Sequence, residues 1–402
     1  MINQSDNSLK INKSIPDFSN TEIAFKGKTN TELNKAYWLF KAINSQLITK
    51  LGASATNFFL RIGAPIVPLI KSTIYAQFCG GETIVGCEKA IDKLAIGGVG
   101  TILDYSVEGE QEERSFIETT EEILTVLRKS KNDLRIPLAV FKPTGVGRFD
   151  LYVKVNNKET LSVAEHAEYF KVKARFNQIC KFAHDLDVPV MIDAEESWIQ
   201  TAVDDIALDM MRMYNRDKTI VYNTYQLYRT DKLASLKAVV YLAATDEFKL
   251  GAKIVRGAYM EKERERAAEM GYESPIHKDK EATDFDYDEA IRFCMEHITQ
   301  VSIIAGTHNE ESCSSLIDLM NTYRIERNDP AVYFAQLLGM SDHLSFNLAD
   351  SAYNVAKYVP YGPVKAVLPY LFRRAEENTS LAGQTGRELS LIMKEKSRRS
   401  KA

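Results

Sequence analysis

Eight short apolar runs recur between residues 98 and 362, and they constrain the fold more than any other feature of the chain. They read GVGTILD (98–104), IPLAVFK (136–142), VPVMIDA (188–194), TIVYN (219–223), AKIVRG (252–257), VSIIAGTHN (301–309), VYFAQLLG (332–339) and NVAKYVPYG (354–362). Each is short, several are rich in Val and Ile, and most are followed by a longer segment with helical spacing of apolar residues. Continuous apolar runs of this kind are strands buried on both faces, and intervening helices make the sheet parallel. A count of eight favours a closed (βα)8 TIM-like barrel over an open doubly wound sheet. No glycine-rich GxGxxG follows the first run, which weighs against a dinucleotide-binding open sheet.

The remainder of the chain brackets this barrel. Residues 1–28 are polar, and ELNKAYWLFKAINSQLITKL within Thr29–Ala95 places apolar residues at three- and four-residue steps. The expected organisation is an N-terminal tail and helical region over 1–95, the barrel over 96–385 and a basic C-terminal tail over 386–402. The net charge of −4 asks for neither nucleic acid nor an anionic surface. Five scattered cysteines with no CxxC pair point to a reducing compartment. Six histidines without ligand spacing give no metal site. The N-terminus lacks an apolar signal core, and NFFLRIGAPIVPLI (57–70) is too short and too interrupted to span a bilayer.

At or within a residue or two of the end of each apolar run stands a side chain that strand burial does not explain: Asp104, Lys142, Asp193, Asn223, Arg256, His308, Gln336 and Tyr358. In a barrel all strand C-termini open on one face, where barrel enzymes hold their sites. Four stretches add detail. In KIVRGAYMEKER a cation ends the strand, and Gly257 and Ala258 suit either close approach of a ligand or a tight turn. In GTHNEES, Asn309 is placed to cap the following helix, which leaves His308 unexplained. MIDAEES sets Asp193 at a strand end. VFKPTGVG offers Lys142 as an anion ligand, a Schiff-base nucleophile or a snorkelling strand-end lysine. Beyond the last run, YLFRRAEENTS carries adjacent Arg373 and Arg374 with Glu377 a turn further. On a helix this is either a solvated end with an ion pair or a clamp for an anion.

FKPTG, IDAEES, YNTYQLY, KIVRGAYMEKER, GTHNEES, YVPYGPV and YLFRRAEEN occur in this order, and over residues 95–380 the chain resembles the proline dehydrogenase family. The wording is similar to its monofunctional, mitochondrial-type branch. The resemblance implies a (βα)8 barrel holding noncovalent FAD and oxidation of L-proline to Δ1-pyrroline-5-carboxylate, with a membrane quinone as final acceptor. It further implies a cytoplasmic protein, peripheral on the inner face of a bacterial membrane, that starts proline catabolism to glutamate. By the same resemblance Arg373 and Arg374 clamp the proline carboxylate, joined by Lys142 and oriented by Glu377. Tyr358 packs against the proline ring, Asp193 is the acidic residue beside it and Leu337 walls the pocket. Lys253 and Arg256 lie near the isoalloxazine and its phosphates. Asn223, which stands where bacterial relatives often have glutamine, contacts the flavin together with Gly257, Ala258, Thr307, His308 and Asn309, while Lys280 meets the phosphates. Hydroxyproline-specific relatives tend to carry serine at the position of Tyr358, so the aromatic implies a preference for proline. The alternatives are a hydroxyproline dehydrogenase, and a Schiff-base aldolase that uses Lys142 on the same barrel.

Overall fold

The computed structural model describes residues 15–43, 66–106, 111–380 and 384–401. Its centre is one sheet of eight parallel strands: β1 (Gly100–Tyr105), β2 (Ala139–Phe141), β3 (Val190–Ile192), β4 (Val221–Gln226), β5 (Leu250–Val255), β6 (Val301–Gly306), β7 (Val332–Leu337) and β8 (Val355–Tyr361). The order β1-β8-β7-β6-β5-β4-β3-β2 brings β1 and β2 to the two edges. The Thr101 amide then donates to the Arg135 carbonyl, just before β2, at 2.8 Å and nearly closes the barrel. Helices separate the strands, as parallel crossovers require. All eight runs identified in the sequence are strands.

Alternation along each strand sorts side chains into two sets. Ile102, Leu138, Val140, Met191, Tyr222, Ile304, Ala335, Ala356 and Tyr358 pack together along the barrel axis. Residues of opposite parity, such as Ile192, Ala252 and Ile303, join the larger core between sheet and helices. Parity therefore decides which strand-end residues reach the mouth. Asp104, Lys142, Asp193, Lys253, Leu337 and Tyr358 share the axial parity. Asn223 and Gln336 do not.

A second apolar cluster lies outside the barrel and joins both ends of the chain. Helices Thr21–Phe25 and Asn30–Ile43 contribute Phe25, Leu33 and Phe40, and the segment after β8 contributes Val367, Leu368 and Leu371. The C-terminal helix Gln384–Lys401 adds Leu391 and Ile392. Phe25, Phe40 and Phe78 are entirely buried there, each stabilising by about 1.5–3 kcal/mol. Where a basic tail was expected over 386–402, the described residues to Lys401 form a packed helix. Lys394 and Arg398 are exposed, Arg387 and Arg399 reach back to Glu310 and to the Lys28 and Phe25 carbonyls, and Glu388, Leu391, Ile392 and Glu395 face inward. This cluster seats the helix Leu368–Ser380, which carries Arg373 and Arg374.

Candidate active site

The axial residues at the strand C-termini form a ladder of alternating charge. Lys142 Nζ lies 2.6 Å from Asp104 Oδ1 and 3.9 Å from Asp193 Oδ2. Asp193 Oδ1 accepts from Lys253 Nζ at 2.6 Å and from the Tyr358 hydroxyl at 3.3 Å. The Lys253 ammonium also sits 4.4 Å from the centre of the Tyr358 ring, within cation–π range. Burial pushes the Asp104 carboxyl up, but the Lys142 ammonium and the Ser106 hydroxyl, 2.8 Å away, outweigh it and hold the group below the ordinary carboxylate range. Burial and the neighbouring Asp193 charge push the Tyr358 phenol well above its usual value, so it stays protonated as a donor. Leu337 is paired in register with Tyr358 and shares its face.

On the helix Leu368–Ser380 the two arginines diverge, as neighbours on a helix must. The Arg373 guanidinium lies 5.6 Å from the Tyr259 ring, beyond β5. Arg374 stacks on Tyr370 at 5.1 Å, is buried, and is close enough to His308 to depress its titration. The pair therefore faces the mouth between β5 and β6 rather than open solvent. Glu377 lies on the same helix, but its side chain is outside the described residues.

Arg256 leaves β5 on the other parity and turns toward the helices. Its Nε meets Asp284 Oδ1 at 2.6 Å, Nη1 meets the Thr307 hydroxyl at 2.9 Å and Nη2 meets the Ser312 hydroxyl at 3.0 Å. It stacks 4.3 Å from the Tyr287 ring. Lys280 shares Asp284 with it. Both cations stand at the N-terminal ends of helices Lys280–Glu296 and Glu310–Thr322, the second capped by Asn309 as its sequence suggested. His308 Nδ1 pairs with the Ser341 hydroxyl at 2.9 Å. Burial, then the charges of Lys357, Arg374, His343 and Arg256, push its titration down to about 3, so the ring is neutral.

Two expectations change. Asn223 is not at the mouth: its amide donates to Asp204 Oδ1 at 2.9 Å, on a helix outside the barrel. Parity explains this, since Tyr222 and Thr224 take the axial side of β4. Gly257 does have a positive φ of +141°, but a Cβ there would stand 2.5 Å from the Tyr228 ring. The close approach it permits is that of a side chain of the protein itself, with Ala258 following at the exit of β5. Sequence reasoning left Asp104 without a site role. Its pairing with Lys142 spans 38 positions across the barrel seam, and only its strand-end position and axial parity hinted at it. Ser341 and Lys357 gave no sequence signal.

The model of the proline dehydrogenase family matches residues 87–387. The chain is 32% identical over 445 residues to proline dehydrogenase 1, mitochondrial, of Dictyostelium discoideum, covering 99% of this chain and 76% of that protein. It is 34% identical over 328 residues to the carbapenem antibiotics biosynthesis protein CarD of Pectobacterium carotovorum subsp. carotovorum, covering 82% of this chain and 85% of the relative. A crystal structure of proline utilization A from Bdellovibrio bacteriovorus superposes with a TM-score of 0.73 at 16% identity, over 91% of this chain and 42% of that one. At that identity it speaks for the shared barrel alone. With a family match that spans most of the barrel, the chain belongs to the proline dehydrogenase family.

Proposed function

We propose that the protein oxidises L-proline to Δ1-pyrroline-5-carboxylate with FAD as hydride acceptor, and that the electrons pass to a membrane quinone as the first step of proline catabolism to glutamate. The observation that carries this reading is the Asp193–Lys253–Tyr358 cluster on the barrel axis, which we pair with the two arginines of the helix Leu368–Ser380, near Tyr259 and His308. A carboxylate substrate needs cations in a desolvated site, and guanidiniums suit it best. The Tyr358 ring and Leu337, paired in register, are the apolar side chains that would face the pyrrolidine ring.

The residues present fit FAD on chemical grounds. Arg256 and Lys280 beside two helix N-termini make a cationic rim suited to a diphosphate. Lys253 puts a cation on the axis, where it would stabilise negative charge on a reduced isoalloxazine. FAD, when bound, supplies the hydride acceptor. The remaining work falls to the chain. Arg373 and Arg374, with Lys142 below them, bind the carboxylate and fix the ring. Tyr358 and Leu337 hold its face, and the helix above limits water at the mouth. In this reading Asp193, held by Lys253 and Tyr358, accepts the hydrogen of the ring nitrogen. The amine must be neutral, so that its lone pair forms the C=N bond as the C5–H bond breaks with its electron pair.

No helix among the described residues is long and apolar enough to cross a membrane. In this reading a cytoplasmic protein meets the quinone by peripheral contact at the inner face of the membrane. The test is the absorption spectrum of the purified protein. It should show a flavin band that L-proline bleaches without oxygen and that denaturation releases. A folded, colourless protein that takes up no added FAD overturns the reading.

A further inference from the structure

The loop after β7 is held from three directions in a way the reaction alone does not require. Ser341 adopts a left-handed conformation, with φ +49°, that non-glycine residues rarely take. Its backbone N–H donates to Glu388 of the C-terminal helix Gln384–Lys401, and its hydroxyl pairs with His308 at 2.9 Å. Glu388 is itself only 3% exposed and lies 3.9 Å from His343 Nδ1. His343 meets Glu310 at 3.1 Å, and Glu310 takes Arg387 from the same C-terminal helix at 2.7 Å. Asp342 binds Lys28 of the N-terminal segment at 2.7 Å and Lys357 of β8 at 2.8 Å. Gly339, with φ +80°, accepts from the Gln77 amide at 2.8 Å, where a Cβ would come within 2.2 Å of the Gln77 carbonyl.

A carboxyl group buried on a helix outside the barrel is an expensive way merely to dock that helix, because an apolar residue of similar volume would serve better. Burial pushes the Glu388 carboxyl above its ordinary range, against the pull of His343. What an apolar residue could not do is accept the Ser341 N–H and so hold a strained backbone whose hydroxyl meets His308. That histidine is neutral and lies at the head of the capped helix Glu310–Thr322, among the segments expected to meet the flavin.

We infer that Glu388 is a positioning residue for the cofactor side of the mouth. Through Ser341 it fixes the orientation of the His308 ring, which makes the C-terminal helix part of the site although it lies outside the barrel. The consequence for FAD rests on the function proposed above; the link from Glu388 to His308 does not.

The experiment uses the full chain with Glu388→Ala, Glu388→Gln and Ser341→Gly. Loss of one buried hydrogen bond at the His308 segment should weaken FAD binding about tenfold and alter the flavin absorption envelope, with KM for proline unchanged. Glu388→Gln keeps an acceptor oxygen and should restore both. Ser341→Gly relaxes the backbone and removes the hydroxymethyl group that meets His308, so it should weaken FAD binding without lowering Tm. A second readout needs no flavin: the ring signals of His308 in protein with isotope-labelled histidine, identified through His308→Gln. They should shift in Glu388→Ala and Ser341→Gly and stay in place in Glu388→Gln. A colourless parent whose His308 signals still respond to Glu388 would remove the flavoenzyme reading and leave the link standing. A yellow parent in which Glu388→Ala changes neither flavin affinity nor His308 overturns the inference. Should Glu388→Ala fail to fold, normal flavin affinity and unmoved His308 signals in Ser341→Gly overturn it equally.

Discussion

Replacing Lys253 by Met tests whether the axial ladder is energetically coupled or only adjacent. The Lys253 ammonium lies 2.6 Å from Asp193 Oδ1, with side chains 8% and 14% exposed. With an effective dielectric of about 20, the gross attraction at that distance is roughly 6 kcal/mol. Desolvation offsets much of it in the intact pair. Removing one partner, however, leaves an uncompensated buried charge, which costs about 3–5 kcal/mol. The lost contact with the Tyr358 ring adds about 1 kcal/mol. Lys142 offers limited relief, since it is 3.9 Å from Asp193 and held by Asp104 at 2.6 Å. Lys253→Met should therefore lower unfolding stability by about 4–5 kcal/mol, and Asp193→Asn should lower it by a similar amount. The double variant should cost less than the sum of the two by at least about 2 kcal/mol. The assay is urea unfolding of flavin-stripped protein at neutral pH, followed by circular dichroism, so that ligand binding does not enter. Additive single costs, or a Lys253→Met protein as stable as its parent, would refute the coupling.

Three further outcomes follow from the same geometry. Arg373→Met or Arg374→Met should weaken proline binding by about 2–5 kcal/mol with flavin content unchanged, and an unaltered KM in either variant would remove it from the carboxylate clamp. Asp342 is pushed up by burial, but Lys28 and Lys357 outweigh this and hold it well below the ordinary carboxylate range; Glu310 is lowered to about 2 by the hydrogen bond from His343, against burial, with Arg387 assisting. Because the native state binds fewer protons at these groups, their stabilisation is complete above the unfolded pKa of about 4 and is lost as pH falls below it, so urea midpoints should drop in acid, and Asp342→Asn should flatten that slope. Tyr358→Ser should cost proline about 1–3 kcal/mol in kcat/KM while admitting trans-4-hydroxyproline, and an unchanged ratio of the two substrates would show that the ring does not select against the hydroxyl.

The strands were legible because fully buried parallel strands must be short and apolar, and nothing else in the chain has that texture. Which strand-end residue reaches the mouth was less legible, although the information was present. In TIVYNTYQ the alternation that puts Tyr222 and Thr224 on the axis sends Asn223 to the helix layer, where it meets Asp204. The last polar residue before an apparent strand end is the wrong choice there, because the strand runs on to Gln226. The ladder Asp104–Lys142–Asp193–Lys253 depends on register between strands far apart in sequence, which no local pattern encodes. The C-terminal segment was misread for a different reason. Its basic residues dominate composition, yet Glu388, Leu391, Ile392 and Glu395 fall at helical spacing on one face, and that face is the buried one.

The charge balance at the mouth bears on which form of substrate the site can take. Among the described side chains, Lys142 and Lys253 on the axis and Arg373 and Arg374 on the helix Leu368–Ser380 stand against Asp104 and Asp193, four cations to two carboxylates. His308 adds none, because its ring is held neutral. A zwitterionic amino acid would bring a cation into this excess, whereas the same molecule with a neutral amine brings only its carboxylate. Like charges in a desolvated site are costly, so the surplus of cations favours binding of the deprotonated amine, the form whose lone pair the oxidation needs. In the proposed function the cations assigned to the carboxylate would thus also bias the protonation state of the group that reacts. Neutralising one of them should then do more than raise KM. It should also move the pH at which proline is turned over toward higher values, since less of the burden of deprotonating the bound amine would fall on the protein. A profile of kcat against pH, which reports the bound amine, that keeps its acid limb in Arg373→Met and Arg374→Met would assign these residues to holding the carboxylate alone.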